Sequence, residues 1–329
     1  MNTISFYNHD LCYRGTTRAI LAYAKSIQKS HPDTNLVYLF NKNSLNNRMG
    51  VGIEFLKFGI ELIGVDSYND VISRSHDFDF LYYVSSQKPG SSQWLQQASC
   101  RTLLHQNGFQ EPDHECASSF AYTSYWQSLY FTGGSAKTLP CIIEEPEIRC
   151  TKQEAREWLG IPQNSLVVAR HGGNDTWNLP FAGQVVEAVA RSRQDVVFLF
   201  LGTTPFCALE NVRFLPASHD RMTVERFLSA ADVMLHARWE GETFGIACAE
   251  FLIRGKPIIT WAGSRERNHI LIAEGCAIMY NGPQDLHLIL QNLDKQMLVE
   301  KEAQVPRKML ETHYSSSRIG GILQGIIKG

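Results

Sequence analysis

Two carboxylates in one short segment raise the first chemical question. In "HARWEGETFGIACAEFLIRGKPIIT" (236–260), Glu242 stands just before an apolar segment, and Glu250 lies inside it, in a run from Phe244 to Ile253 with no other charged side chain. A surface helix alternates polar and apolar faces, and a buried one excludes a lone carboxylate. The charge needs a partner. With a helix starting near Thr243 or Phe244, the backbone N–H groups of Thr243, Phe244, Gly245 and Ile246 lack intrahelical acceptors and form an anion site, which Gly245 lets a phosphate approach closely. Glu250, two turns on, then accepts hydrogen bonds from a pair of vicinal hydroxyls, which compensates its burial. Anion first and diol second outline a nucleoside diphosphate. The plainer alternatives are a Glu242 that complements the helix dipole and a Glu250 paired with Arg254 at i+4.

Such a site needs strands and helices to hold it. In the first half, strands are expected at 3–8, 35–40, 60–65, 78–84, 101–106 and 119–124, with "TTRAILAYAKSIQKS" (16–30) the clearest helix between them. The alternation breaks at "LPCIIEEPEIRCTKQ" (139–153), whose prolines and charges read as a linker. It then restarts with helix "KQEAREWLG" ending at Gly160, strand 165–170, helix "PFAGQVVEAVARSR" and strand 195–202. Helix "TVERFLSAA", strand 232–237, the opening helix and strands 256–261 and 276–280 follow. The chain is helical from about 284, and the glycines of its last segment make that segment a poor independent helix. Alternating strand and helix implies parallel sheets with right-handed crossovers, hence an α/β fold of two doubly wound domains with a cleft between them.

The bulk composition narrows the function classes. At 329 residues, 44% hydrophobic and 19% charged, the chain is a globular protein of two domains. A net charge of −2 provides no electrostatic case for nucleic acid. Eight scattered cysteines without a C-x-x-C pair read as reduced thiols, neither a disulfide frame nor a zinc site. No signal peptide and no membrane-length apolar run is legible, so a cytoplasmic location is expected, with peripheral membrane contact left open.

"ADVMLHARWEGETFGIACAEFLIRGKPIIT" resembles the E-x7-E segment of retaining glycosyltransferases of family 4, which have the GT-B fold. The resemblance covers most of the second half and scattered points of the first. It implies two Rossmann-like domains, an acceptor-side domain at 1–145 and a donor domain at 146–305, with a helical segment at 306–329 packing back on the first. It implies Glu242 at the donor sugar's hydroxyls, the amides of Thr243, Phe244, Gly245 and Ile246 at sugar or phosphate oxygens, and Glu250 at the ribose. "VVARHGG" (167–173) resembles the family's strand-then-Arg segment, in which Arg170 grips the diphosphate. "NHDLCYRGTTRAILAYAKSI" resembles its first strand–loop–helix, with Arg14, Gly15 and Thr16 in the loop facing the cleft, and "TLLHQNG" (102–108) resembles the strand end that presents a histidine, His105, to the donor. The implied catalytic residues are thus Glu242, His105 and Arg170. The activity implied is metal-independent, retaining transfer from a UDP- or GDP-sugar, without a further cofactor, to a carbohydrate, lipid-linked or other hydroxyl acceptor.

The sequence departs from that pattern at two places. Position 175 is Asp where the family has a Lys, leaving Arg14, Arg238 and Arg265 as candidate cations, and the first loop has Gly15 alone. Other motifs fail: Asp77-x-Asp79 opens a strand, "GGSAKT" lacks P-loop spacing, "MGVGIEF" lacks a third glycine, and "HGG" has no G-x-S-x-G partner. The rival readings are a same-fold epimerase or phosphorylase and a catalytically decayed nucleotide- or carbohydrate-binding protein.

Overall fold

The computed structural model describes residues 3–143, 150–218 and 220–329. They form two compact units, Met1–Ile142 with His313–Gly329, and Ile143–Thr312. The sequence places these divisions at 145/146 and 305/306. The expected linker at 139–153 includes residues 144–149, which lie outside the described residues.

The first unit is built on six parallel strands: β1 (Thr3–Tyr7), β2 (Asn35–Asn41), β3 (Glu61–Val65), β4 (Phe80–Ser85), β5 (Arg101–Gln106) and β6 (Ser119–Tyr122). Their order is β3-β2-β1-β4-β5-β6. Helices α1 (Gly15–Ser30), α2 (Met49–Lys57), α3 (Tyr68–Arg74) and α4 (Tyr125–Thr132) run between or after them. Every residue of β4, "FLYYVS", is buried, as expected of a central strand covered on both faces. The Asp77-x-Asp79 pair makes local contacts: Asp79 accepts the Thr3 N–H at 3.1 Å, and Asp77 pairs with His76 at 3.2 Å.

The second unit repeats the plan. It contains α5 (Lys152–Leu159), β7 (Leu166–His171), α6 (Ala182–Ser192), β8 (Val196–Leu201), β9 (Val212–Leu215), α7 (Arg221–Ala230) and β10 (Val233–Leu235). It continues with β11 (Gly241–Glu242), α8 (Ile246–Leu252), β12 (Ile258–Trp261), β13 (Glu266–Arg267), α9 (Asn268–Ala273), β14 (Ile278–Tyr280), α10 (Pro283–Asn292) and α11 (Lys295–Glu302). Six of the strands pair in parallel in the order β14-β12-β10-β7-β8-β9, and β11 pairs with β13 alone. Their core runs from Leu166 and Val168 through Phe198 and Phe200 to Leu235, Ile259 and Tyr280.

Local signals explain several element ends. Helix α5 opens on a reciprocal capping box, Thr151 with Glu154, and closes on Gly160 in the left-handed conformation. Arg156 on this helix is buried: it donates to the carbonyls of Ala230, Gln163 and Ser165 and to Asp232 Oδ2 at 2.8 Å. Asp232 Oδ2 also accepts the Val167 N–H at 2.7 Å, so one ion pair ties α5 to the starts of β7 and β10.

The chain ends in α12 (Arg307–His313) and α13 (Ser316–Lys328). Helix α13 forms despite its glycines because it buries Ile319, Leu323, Ile326 and Ile327, and tertiary packing outweighs propensity. Gly320 is needed at the contact, since a Cβ there would lie 2.1 Å from Ser26 Oγ on α1. Ser26 Oγ also donates to the Ser316 carbonyl at 2.9 Å.

Candidate active site

In the second unit the strand order reverses between β7 and β10: β8 and β9 extend one way from β7, while β12 and β14 extend the other way from β10. At such a switch point the loops leaving two neighbouring parallel strands diverge, and the gap beyond their carboxyl ends accepts ligands. Strand β7 ends in Arg170 and His171, and β10 leads directly into His236, Ala237 and Arg238. Glu242 and Glu250 converge on these residues.

Glu242 is held by the turn between β11 and α8. Gly241 has φ +83°, and a Cβ there would lie 2.0 Å from the Glu266 carbonyl oxygen of the paired strand. Gly245 has φ +90°, with space restricted by His269 and Glu242. Asn268 Nδ2 donates to the Phe244 carbonyl at 2.7 Å and closes the turn. The Glu242 carboxylate then meets two partners, with Oε1 3.3 Å from His236 Nε2 and Oε2 3.0 Å from Arg238 Nη1. Burial alone would raise its pKa, but the His236 hydrogen bond and the Arg238 charge outweigh burial and hold it below the usual carboxylate value. The side chain keeps 21% exposure, so the ionised group remains within reach of a ligand.

Glu250 has a different partner. Its Oε2 lies 2.9 Å from Nε2 of His171, and the two side chains are 13% and 11% exposed. The approach misses the direction of a well-aligned hydrogen bond, so the contact is mainly electrostatic. Arg254, the expected i+4 partner, directs Nη2 to Glu225 at 2.6 Å and Nη1 to the Glu250 backbone carbonyl at 2.8 Å.

The likeness to solved structures extends over the whole chain. HepE of Anabaena, in complex with UDP-glucose, superposes with a TM-score of 0.76 at 13% identity, over 100% of both chains. A glycosyltransferase from Rickettsia africae gives 0.73 at 12% identity over 99% of this chain and 98% of its own. A Listeria monocytogenes protein assigned as a UDP-N-acetylglucosamine 2-epimerase gives 0.62 at 12% identity, over 99% and 96%. The chain has the GT-B fold. No protein-family profile matches the sequence, and no curated protein matches it by sequence.

Within this GT-B chain the expected site residues separate into groups. Glu242, Thr243, Gly245, Ile246 and Glu250 gather around the turn into α8. The helix start is corrected: α8 begins at Ile246, because the positive φ of Gly245 cannot continue a helix, so Thr243 and Phe244 are not its terminal amides. The Phe244 side chain is buried in the core, and α8 has no side-chain cap. Arg14, exposed, occupies the N-cap position of α1, with Gly15 and Thr16 in its first turn, all in the first unit. The neighbouring Thr17 is the anchored residue, accepting from Asn8 Nδ2 at 3.1 Å.

Arg170 and His105 also depart from expectation. Arg170 is 3% exposed and its fork is taken by its own chain, donating to Thr203 Oγ1 and Thr176 Oγ1 at 2.5 Å each and to the Gly173 carbonyl at 2.8 Å. Burial lowers its pKa to about 10, against the opposing charges of Glu242 and Asp175. It stays a cation that orders the 172–176 loop, and Arg238, 28% exposed, is the accessible cation beside Glu242. Arg265, far more exposed, pairs with Glu266 at 3.1 Å. The ring of His105 is 2% exposed and 2.5 Å from the Tyr82 hydroxyl through Nδ1. Burial pushes its pKa down to about 3, so it is a neutral core histidine; a strand-end position alone does not reveal which face the ring takes.

The sequence reading missed His171, His236, Thr260 and His269. The dipeptide Arg170-His171 and the triplet His236-Ala237-Arg238, each at a strand's carboxyl end, were the available signals. Among the described residues no group of three His, Cys, Asp or Glu is arranged to hold a metal.

Proposed function

We propose that the chain is a glycosyltransferase that moves a sugar from a nucleoside-diphosphate sugar of the UDP-glucose class to a hydroxyl acceptor, with retention and without a metal. One observation carries the reading: an ionised Glu242 and a partly buried Glu250 flank an uncapped helix start at the switch point of the second unit's sheet. HepE, of the same fold, was solved with UDP-glucose, and that co-substrate matches the chemistry of this site.

In this reading Glu242 accepts hydrogen bonds from hydroxyls of the transferred sugar, and Glu250 accepts them from the ribose. Arg238 supplies positive charge beside Glu242, and Arg170 orders the 172–176 loop. As the bond from sugar C1 to the leaving phosphate oxygen breaks, its electron pair passes to the diphosphate. The acceptor oxygen bonds to C1 from the same face and gives its proton to a donor phosphate oxygen. Glu242 orients the sugar and does not attack it. The charge that develops on the diphosphate is where fixed dipoles and cations act most strongly.

The test is a thermal-shift screen with UDP, GDP and ADP, followed by product analysis with UDP-glucose, with and without EDTA. Selective stabilisation by UDP and EDTA-resistant release of UDP support transfer. A melting temperature unmoved by all three nucleotides contradicts it. An epimerised sugar nucleotide as product favours the second reading, prompted by the likeness to the Listeria protein.

A further inference from the structure

Behind Glu242 lies a buried chain of polar groups that the reaction above does not use. His236 Nδ1 is 3.0 Å from Thr260 Oγ1, and Thr260 Oγ1 is 2.9 Å from His269 Nε2. The two imidazole rings are 4.4 Å apart between centroids, and His236, Thr260 and His269 are all buried. They come from three elements: the exit of β10, the middle of β12 and the start of α9. A further bond, from the Tyr280 hydroxyl to the His236 carbonyl at 2.9 Å, fixes the backbone of the first residue.

Counting protons orders the chain. An ionised carboxylate only accepts, so His236 Nε2 carries the hydrogen that faces Glu242. A threonine hydroxyl has one proton, so Thr260 donates to one ring and accepts from the other. Donation to His236 Nδ1 requires His269 to present Nε2–H to Thr260. The opposite setting needs a second proton on His236 and places N–H at His269 Nδ1. Both settings keep Nε2–H of His236 facing Glu242 and keep the Thr260 hydroxyl bridging the two rings. Arg238 also acts on Glu242 by its charge, and the Glu242 charge in turn acts on Arg170 and helps to raise the buried Cys248 thiol.

We infer that His236 is a positioning residue for Glu242, and that Thr260 and His269 fix the tautomer and orientation of His236. The inference rests on the reading of Glu242 as the residue that orients the transferred sugar. The chain removes freedom from the carboxylate without touching the substrate, by holding Oε1 against His236 Nε2. Removing a partner that acts only by orienting a catalytic group lowers kcat without a matching loss of ground-state binding.

The experiment has two arms on the full chain. Histidine-selective 15N NMR, without any substrate, assigns the ring protons. The expected result is Nε2–H on His236, with the ring signals of both His236 and His269 shifted in Thr260→Val. Ring signals unmoved by Thr260→Val overturn the relay. The second arm measures UDP-glucose turnover and UDP affinity. Thr260→Val is expected to lower kcat about 10-fold with UDP affinity within about 2-fold, and Thr260→Ser to restore kcat. A wild-type kcat in Thr260→Val, or parallel loss of kcat and UDP affinity in a variant of unchanged Tm, contradicts the positioning role. If wild-type protein neither binds UDP nor turns over UDP-glucose, the glycosyltransferase reading fails, and the NMR arm still decides whether the relay exists.

Discussion

Glu250 and His171 face each other across 2.9 Å, joining the last residue of β7 to the middle of α8. This contact explains how a carboxylate persists in an otherwise apolar helical segment. A carboxylate transferred from water without any partner would be far too costly, and the imidazole supplies a local partner that leaves room for a second one. His171→Phe removes that partner. UDP affinity is expected to fall about 3- to 10-fold, because the orientation of Glu250 toward the ribose is lost. Calorimetric affinity equal to wild type would show that His171 has no part in placing Glu250.

Glu242 has the opposite balance, with its two oxygens assigned to His236 and Arg238. Glu242→Gln keeps the shape and removes the charge. UDP-glucose turnover is expected to drop at least ~100-fold, on the scale of lost transition-state stabilisers, while UDP affinity stays within about 3-fold. Steady-state kinetics beside UDP titration checks this. A kcat within a few-fold of wild type would remove Glu242 from the catalytic role.

Arg156 predicts stability without function. Its removal strands Asp232 inside the second unit with one fewer cation. Arg156→Met is therefore expected to lower stability by about 3–5 kcal/mol, the usual cost of breaking a buried pair from one side. Urea unfolding measures it. A loss below about 1 kcal/mol would mean that the neighbouring Lys152, which also pairs with Asp232, suffices.

His105 predicts a pH dependence. Its folded pKa of about 3 lies below the ordinary 6.5, so the unfolded chain binds a proton that the native one refuses. Its contribution is complete above pH 6.5 and falls as pH drops toward 3, with a limiting slope of about 1.4 kcal/mol per pH unit. His105→Gln is expected to flatten the stability profile in that window by close to one proton and to leave UDP affinity unchanged. An identical pH profile in the variant would contradict the buried, neutral assignment.

Much of the sheet architecture was legible because central parallel strands are near-continuous apolar runs, as in "VVFLFL" of β8, all of it buried. Glu242 just before a helix and Glu250 within it were also legible from the apolar run that follows Glu242. What was not legible depends on geometry across the chain. The positive φ of Gly245 moved the helix start to Ile246, and no propensity announces that sign. His105 was placed at the donor by resemblance to the family's strand-end histidine, and a strand-end position does not show that the ring lies buried. The partner of Glu250 comes from a different strand–helix unit, so no local spacing pairs it with His171. Helix α13 was undervalued since its stability lies in its packing on α1, where Gly320 allows the approach to Ser26.

The most direct measurement is calorimetric titration of UDP into wild type and Glu250→Ala at matched ionic strength. The account predicts saturable binding of one UDP per chain to wild type, weakened at least ~10-fold in Glu250→Ala. Equal affinity in the two proteins, or no UDP binding by either, would contradict the assignment of this switch-point site to a nucleoside-diphosphate sugar.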